Sequence, residues 1–328
     1  MTILVTGSAG HLGEALMRIL RARGRAAMGV DVVASAFTDR VGSIADRAFV
    51  DACMSGIDAV LHAATLHKPH VATHARRAFV DTNVTGTLNL LEAASARGVG
   101  AFVFTSTTSV FGDALTPADD APAAWITEAV TPLAKNIYGA TKAAAEDLCR
   151  LFHRNQGLPC LVLRTSRFFP EPDDSASLRE AYTDGNINAN EFLYRRVDIE
   201  DVVEAHLRAL ERAPALGFGR YIISATTPFR PEDAPALHRD APAVLARRVP
   251  DYADAYARRG WRMFPRIGRV YDNALARQAL DWHPRYDFAH VLQRLREDRN
   301  PRSALAREVG SKGYHGERWR DGLYPVEG

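Results

Sequence analysis

Through its first half the chain alternates short apolar runs with longer amphipathic stretches. Residues 2–6 form a β-branched run. After Gly7-Ser8-Ala9-Gly10-His11-Leu12-Gly13, the apolar positions Leu12, Ala15, Leu16, Ile19 and Leu20 recur at helical spacing through residue 22. Residues 26–30 read as a second strand ending in Asp31, 48–50 as a third and 59–63 as a fourth. A helix is predicted over 75–97, with Val80, Val84, Leu88 and Leu91 on its buried side. A strand at 101–105, a helix at 140–155 and a strand at 160–163 continue the rhythm. Strict alternation of strand and helix predicts an α/β protein with a doubly wound parallel sheet and right-handed crossovers. Ligands of such a sheet lie beyond the carboxyl ends of its strands. His62, Thr107 and the segment after Leu163 all fall at such ends, so one cleft collects them.

Beyond Phe168 the rhythm breaks. Prolines and charges cluster at 170–174 and 228–242, with a helix expected at 202–212, a strand at 220–224 and a helix at 273–280. This divides the chain into a dinucleotide-binding domain, 1–167, and a smaller lobe, 168–328, that covers substrate and is interleaved with returning elements of the main sheet. The tail, from Ser311 through Gly313-Tyr314-His315 to Trp319 and Tyr324-Pro325, is aromatic and glycine-rich. It either folds over the lobe or serves an interface.

Strand, glycine loop and helix in succession are the context of a Rossmann dinucleotide-binding fingerprint. Gly7 permits the tight turn, Gly10 lets backbone approach a pyrophosphate, and Gly13 lets the helix pack on the strand. The helix N-terminus adds N–H donors and a positive dipole end. Asp31 stands where an acid binds the adenosine ribose hydroxyls; its charge repels a 2′-phosphate, which favours NAD over NADP. Arg40 keeps an NADP alternative, and a solvent-exposed strand-end acid is the plain alternative for Asp31.

Composition narrows the classes further. The 328 residues, 47% of them hydrophobic, suffice for one large α/β domain with an appended lobe, and a net charge of +2 gives no electrostatic warrant for nucleic acid or membrane binding. No signal peptide is recognised, no apolar stretch is long enough for a bilayer span, and the three cysteines are sparse, so a cytoplasmic protein with reduced thiols is expected. His62, His67, His70 and His74 cluster, but no acid or cysteine completes a metal-ligand set, and no metal is expected.

Tyr138 and Lys142, in YGATK, lie one helical turn apart and share a face. A fixed ammonium beside a phenol favours phenolate, so the tyrosine pKa is expected to fall toward working pH. In isolation the pair also suits an amphipathic surface helix.

The ordered set Gly7-x-x-Gly10-x-x-Gly13, Asp31, HAAT (62–65), NVTGT (83–87), TSTTSVFG (105–112) and YGATK (138–142) resembles the extended short-chain dehydrogenase/reductase family. Its best-known members are NAD-dependent sugar epimerases and dehydratases. The resemblance covers residues 1–210 well and the remainder in outline. It implies that Tyr138 is the acid/base and that Lys142 lowers its pKa and holds the nicotinamide ribose. Thr107 would orient the substrate oxygen, with Ser106 and Thr108 as competing hydroxyls. Asn83 is implied as a structural or relay group, or a simple tie. The implied cofactor contacts are Gly7, Gly10, His11, Leu12, Gly13, Asp31, Ser43, Ile44, His62, Ala63, Ala64, His67, Asn83 and Thr105, together with Tyr138 and Lys142. His67 falls where sugar epimerases often place a lysine, with Lys68 adjoining; both also suit an exposed loop. Ser43 replaces an acid that relatives often set against adenine.

Four departures bear on substrate. Dehydratases carry an acidic pair after the active-site threonine, where this chain has Thr108 and Ser109, so dehydration is disfavoured. Arg167 stands near the place of an asparagine of nucleotide-sugar enzymes. The stretch from there to residue 201 is short for a lobe that must embrace a nucleotide diphosphate. The family's arginine–acid pair is altered to Tyr194-Arg195. Thr107, Thr108, Arg167, Arg195 and Arg196 are the candidate substrate contacts, the arginines suiting a phosphate or carboxylate. Ion pairs with Asp198 or Glu200 are the structural alternative. The resulting expectation is NAD-dependent hydride transfer at a secondary alcohol of a sugar or nucleotide-sugar-like small molecule, as in an epimerase. The alternatives are a one-way dehydrogenase of a smaller polyol, hydroxy acid or ketone, or a dinucleotide-sensing scaffold. A homodimer is implied by the resemblance.

Overall fold

The computed structural model describes residues 1–313; the aromatic tail from Tyr314 onward lies outside the described residues. At its centre β1 (Ile3–Thr6) pairs in parallel with β2 (Ala27–Asp31) on one side. On its other side lies β4 (Ala59–His62), while β3 (Arg40–Val41) extends the β2 edge. Beyond β4 come β5 (Ala101–Thr107), β7 (Cys160–Thr165) and β8 (Phe218–Ile223), so the all-parallel order is β3-β2-β1-β4-β5-β7-β8. The winding reverses between β1 and β4, and the registers Thr6↔Val30 and Thr6↔His62 bring the strand ends level there. A crevice at such a switch point is where a doubly wound sheet binds ligand.

Both faces of the sheet are covered, as its uninterrupted apolar strands require. On one face the helices His11–Ala22 and Ile199–Leu216 bury Leu16, Leu20, Val203 and Leu207 against Val5, Leu61 and Val103. On the other, Gly86–Ala96 and Ile137–Gln156 bury Leu90, Leu91, Ala145 and Cys149 against Leu4, Phe102 and Val162. A separate apolar cluster, including Leu193, Phe229, Leu245, Tyr256, Phe264, Phe288 and Leu292, forms the core of the remaining lobe. Between lobe and sheet sits a two-stranded parallel pair, β6 (Ala124–Ile126) with β9 (Arg269–Tyr271). Among the described residues no helix is long and apolar enough to cross a membrane.

Two local expectations fail for identifiable reasons. Residues 48–50 are not a strand but part of the helix Arg47–Cys53, because Asp46 caps it by accepting from the N–H groups of Ala48 and Phe49. The edge strand is instead the two-residue β3. The helix expected over 75–97 carries a π-turn, Val80–Thr85, between Arg76–Phe79 and Gly86–Ala96. A π-turn inserts an extra residue and rotates the helix beyond it. The buried side therefore passes through Phe79, Asn83, Thr87 and Leu90, and Val80 is 38% exposed.

Candidate active site

A cavity of about 830 Å³ runs along the carboxyl ends of the strands, from the glycine loop to the lobe. That volume is within the range of ligand sites. At one end Gly7 takes a left-handed φ of +73°, and an added Cβ would stand 2.7 Å from the Ala64 nitrogen. At Gly13 an added Cβ would lie 1.9 Å from the Gly7 carbonyl oxygen, so helix and turn touch backbone to backbone. Gly10 differs: within the protein a Cβ there meets only the Gly7 oxygen, at 3.3 Å, and the residue lines the cavity. Its bareness leaves room on the cavity side. Gly10 also occupies the N-cap of His11–Ala22 without a capping side chain, so the first-turn N–H groups remain for an anion.

Asp31 is held at the end of β2 by Ala9 N–H (3.0 Å) and Val33 N–H (2.9 Å), and it lines the cavity. Arg40 turns away to donate to the Ala52 carbonyl at 2.9 Å, so it is not presented beside Asp31 for a 2′-phosphate. Ser43 and Ile44 line the same end, as do Ala63 and Ala64. A bare cavity-facing glycine, an uncapped helix start and a fixed acid together fit a dinucleotide.

At the other end, Tyr138 (8% exposed) and Lys142 (2%) project from the helix whose N-cap, Asn136, accepts from Gly139 N–H. Tyr138 and Thr107 line the cavity together, Thr107 is the side chain that opposes the upward shift of the phenol, and its oxygen accepts from Ser109 N–H at 3.1 Å. Lys142 Nζ donates to the Thr105 carbonyl at 2.5 Å and stands 4.0 Å from the Phe104 ring centroid. Thr105 itself shares a 2.8 Å hydrogen bond with His206. The expected depression of the tyrosine pKa is not found. Burial pushes Tyr138 up to about 12, opposed by the Thr107 side chain, and pushes Lys142 down to about 7, opposed by Glu146. The ammonium is aimed at Thr105, and desolvation is the larger force on both groups.

Several expected contacts lie elsewhere. His62 does not line the cavity: it is clamped under the sheet ends between Thr6 (2.7 Å) and Thr87 (3.0 Å), and burial drives its pKa well down. Asn83 is a tie rather than a cofactor contact. It accepts from Thr65 Oγ and Leu66 N–H and donates to the Leu66 carbonyl and Thr141 Oγ, all at 2.9–3.0 Å, joining the 65–66 loop to the Tyr138 helix. His67 does line the cavity, against Phe169 and His70. Burial and its neighbours His70 and His11 keep it well below the ordinary value. Lys68 pairs with Asp174 at 2.8 Å. His11 and Leu12 line the cavity, with His11 hydrogen-bonded to Glu171 at 2.8 Å.

Of the candidate substrate contacts, Thr107, Thr108, Arg167 and Arg195 line the cavity; Arg196 does not. Their acid partners are not Asp198 or Glu200. Arg195 pairs with Glu191 (2.5 Å) and Asp173 (2.9 Å), and Arg196 pairs with Glu191 (2.7 Å). Arg167 donates to the Glu171 and Pro172 carbonyls and lies 3.5 Å from Asp173. Three arginines hold Glu191 down to about 2. Asp198 instead caps Ile199–Leu216 and accepts from Ser303, and Glu200 pairs with Arg285. The sequence reading missed Ser166, Arg269, Tyr271 and Lys312, which also line the cavity. Ser166 stands at a strand end, where position alone could have found it. The others come from sequence segments that carry no motif.

Residues 3–223 match the NAD dependent epimerase/dehydratase family, and the chain belongs to it. Its members are NAD-dependent enzymes, and so is this protein. The chain is 27% identical over 330 residues to a UDP-glucose 4-epimerase of Rhizobium meliloti, covering 89% of this chain and 94% of that one. It is 36% identical over 186 residues to a dTDP-glucose 4,6-dehydratase of Streptomyces antibioticus, about half of each chain (51% and 53%). Among solved structures, a short-chain dehydrogenase/reductase superfamily protein of Agrobacterium tumefaciens with bound NAD superposes with a TM-score of 0.66. The two are 23% identical, and the match covers 94% of this chain and 99% of that one.

Proposed function

We propose that this protein is an NAD-dependent oxidoreductase of the sugar-epimerase type, acting at a secondary alcohol. The observation that carries the reading is that Tyr138, Thr107 and Lys142 line the same cavity as the glycine loop and Asp31. NAD, when bound, supplies the hydride acceptor and a positive ring charge. Gly7, Gly10, Gly13 and the helix start would hold its pyrophosphate, Asp31 its adenosine ribose, and Lys142 its nicotinamide ribose. Thr107 orients the substrate oxygen toward Tyr138. With a pKa near 12, Tyr138 holds its proton at neutral pH, so it stands ready to return a proton to a carbonyl oxygen. To take one from an alcohol, it needs a positive charge drawn close to the phenol. Thr108 and Ser109 supply no acid or base for water elimination, which disfavours dehydration.

A one-way dehydrogenase of a smaller substrate is the second reading, favoured by the ion-paired arginine wall at Glu191 and Asp173. An epimerase should keep NAD through purification and show no net NADH; a dehydrogenase should accumulate NADH with product. Under both, Tyr138→Phe should lower kcat by roughly a hundredfold or more while NAD affinity stays within about twofold. Unaltered turnover refutes the role given to Tyr138. A cytoplasmic location is proposed on the three buried free cysteines, which suit a reducing compartment. A homodimer is proposed on family habit, to be read by light scattering.

A further inference from the structure

Among the described residues seven lysines and arginines line the cavity, and six are already answered. Lys68 pairs with Asp174, Lys135 with Asp113 (3.3 Å), Arg167 with Asp173, Arg195 with Glu191, and Lys312 with Glu14. Lys142 is bound to the Thr105 carbonyl. Arg269 is the exception among the described residues. It has no acid within ion-pair distance, its guanidinium stacks 5.9 Å from the Tyr271 ring centroid, and its Nε is buried without a hydrogen-bond partner.

A buried guanidinium N–H that has lost water and gained no acceptor is costly, unless a ligand supplies one. The acids near β9 are committed elsewhere: Asp272 accepts from Trp125 Nε1 and Ala274 N–H, and Glu128 accepts from Ile222 N–H. Among the described residues the cavity wall offers two carboxylates, Asp31 at the dinucleotide end and Asp174, already paired with Lys68. Arg269 belongs to the lobe side, since Tyr271, two residues on, takes a backbone hydrogen bond to Tyr194, next to Arg195. The Ser166 hydroxyl, 3% exposed and lining the cavity, also lacks a partner; Arg167 Nε and Arg195 Nε lack one too, but there the charge is answered by Asp173 and Glu191.

Resting on the redox reading above, we infer that the substrate is a small hydroxy acid of the sugar-acid class, whose carboxylate is received by Arg269 while Ser166 hydrogen-bonds one of its hydroxyls. A guanidinium offers a carboxylate a planar, two-pronged donor set that a lysine does not match. A nucleotide diphosphate carries more negative charge than one unpaired arginine answers, and Arg167 and Arg195 meet it already neutralised by Asp173 and Glu191. The substrate is therefore a monoanion.

The test compares D-glucuronate with D-glucose, which differ at the carboxylate, and with UDP-glucose, each with NAD in wild type, Arg269→Gln, Arg269→Lys and Tyr138→Phe. The expected result is turnover of glucuronate above both others. Arg269→Gln should raise its KM on the order of ten- to a hundredfold with kcat largely kept, and Arg269→Lys should recover part of the loss. Glucose should respond to Arg269→Gln by less than about twofold. Calorimetric binding of glucuronate to the NAD-loaded protein, with the Arg269→Gln variant alongside, reads the same contact without turnover. Equal KM and equal binding in wild type and Arg269→Gln overturn the inference, as does preference for UDP-glucose or absence of glucuronate binding. Loss of the redox reading looks different: glucuronate binds the NAD-loaded wild type and not Arg269→Gln, yet neither NADH nor an epimer forms.

Discussion

Tyr138 and Lys142 show how much a single residue's chemistry depends on its surroundings. One turn of helix sets them on a common face, yet burial moves the phenol up to about 12 and the ammonium down to about 7. Both shifts run toward the neutral form, the outcome when desolvation exceeds the pair's mutual influence. Asp31 presents the simpler case. Its two oxygens are fixed by Ala9 and Val33 N–H groups, and Arg40 is occupied at Ala52. Asp31→Ala should weaken NAD about tenfold and narrow its margin over NADP, measured by titration of each cofactor. Tighter binding of NADP by the unmodified protein would contradict the assignment. Both the acid and the tyrosine–lysine pair were legible from position and spacing. Their electrostatics were not, because solvent exclusion comes from residues far away in the chain.

The helix Ile137–Gln156 does its positioning through a third residue on the stripe. Glu146, one turn beyond Lys142 and 1% exposed, accepts from Ser106 Oγ (2.6 Å), Arg164 Nη2 (2.7 Å) and Arg220 Nε (3.0 Å). One carboxylate therefore ties the Tyr138 helix to β5, β7 and β8. Glu146→Gln should cost about 3–5 kcal/mol in urea denaturation, because it leaves Arg164 buried without a counter-charge. Removing both charges, with Glu146→Leu and Arg164→Met together, should restore most of that stability. A double variant as unstable as the single one would show that packing, not charge, is what matters. The i, i+4 step running through YGATKAAAE sets Glu146 on the same stripe as Tyr138 and Lys142. Its arginine partners were not visible, as they reach it from strands 18 and 74 residues away. The π-turn at Val80–Thr85 eluded periodicity for a related reason: Asn83, within it, is tied to Leu66 and Thr141, contacts that neighbouring residues do not announce.

Across the whole molecule, Glu171 joins three distant segments at the cofactor end of the cavity. It accepts from Ser311 Oγ (2.9 Å) and Lys312 N–H (3.0 Å) and is hydrogen-bonded to His11 at the start of the helix after the glycine turn (2.8 Å). These contacts hold its pKa down to about 2 against an ordinary 4.5, overcoming its burial. A carboxyl depressed by folding stabilises the fold above its unfolded pKa and loses that contribution as pH falls through the folded value. Glu171→Gln should therefore lower stability by about 2 kcal/mol at neutral pH. The gap to wild type should shrink between roughly pH 5 and pH 2, as thermal melts across that range would show. A gap that stays constant over the range would mean that the charge of Glu171 contributes nothing.

Local order along the chain was enough to specify the strand–glycine loop–helix unit, the doubly wound parallel sheet, NAD as cofactor and the Tyr138–Lys142 pair. Each of these is written in neighbouring residues: strand and helix periods, a glycine triplet and an i, i+4 step. What folding alone decided is which charges answer which. Arg195 finds Asp173 and Glu191 rather than Asp198 or Glu200, His62 is shut beneath the sheet, and Arg269 arrives in the cavity with no acid beside it. Burial and ion pairing depend on distances between residues remote in sequence, and only the packed chain sets those distances.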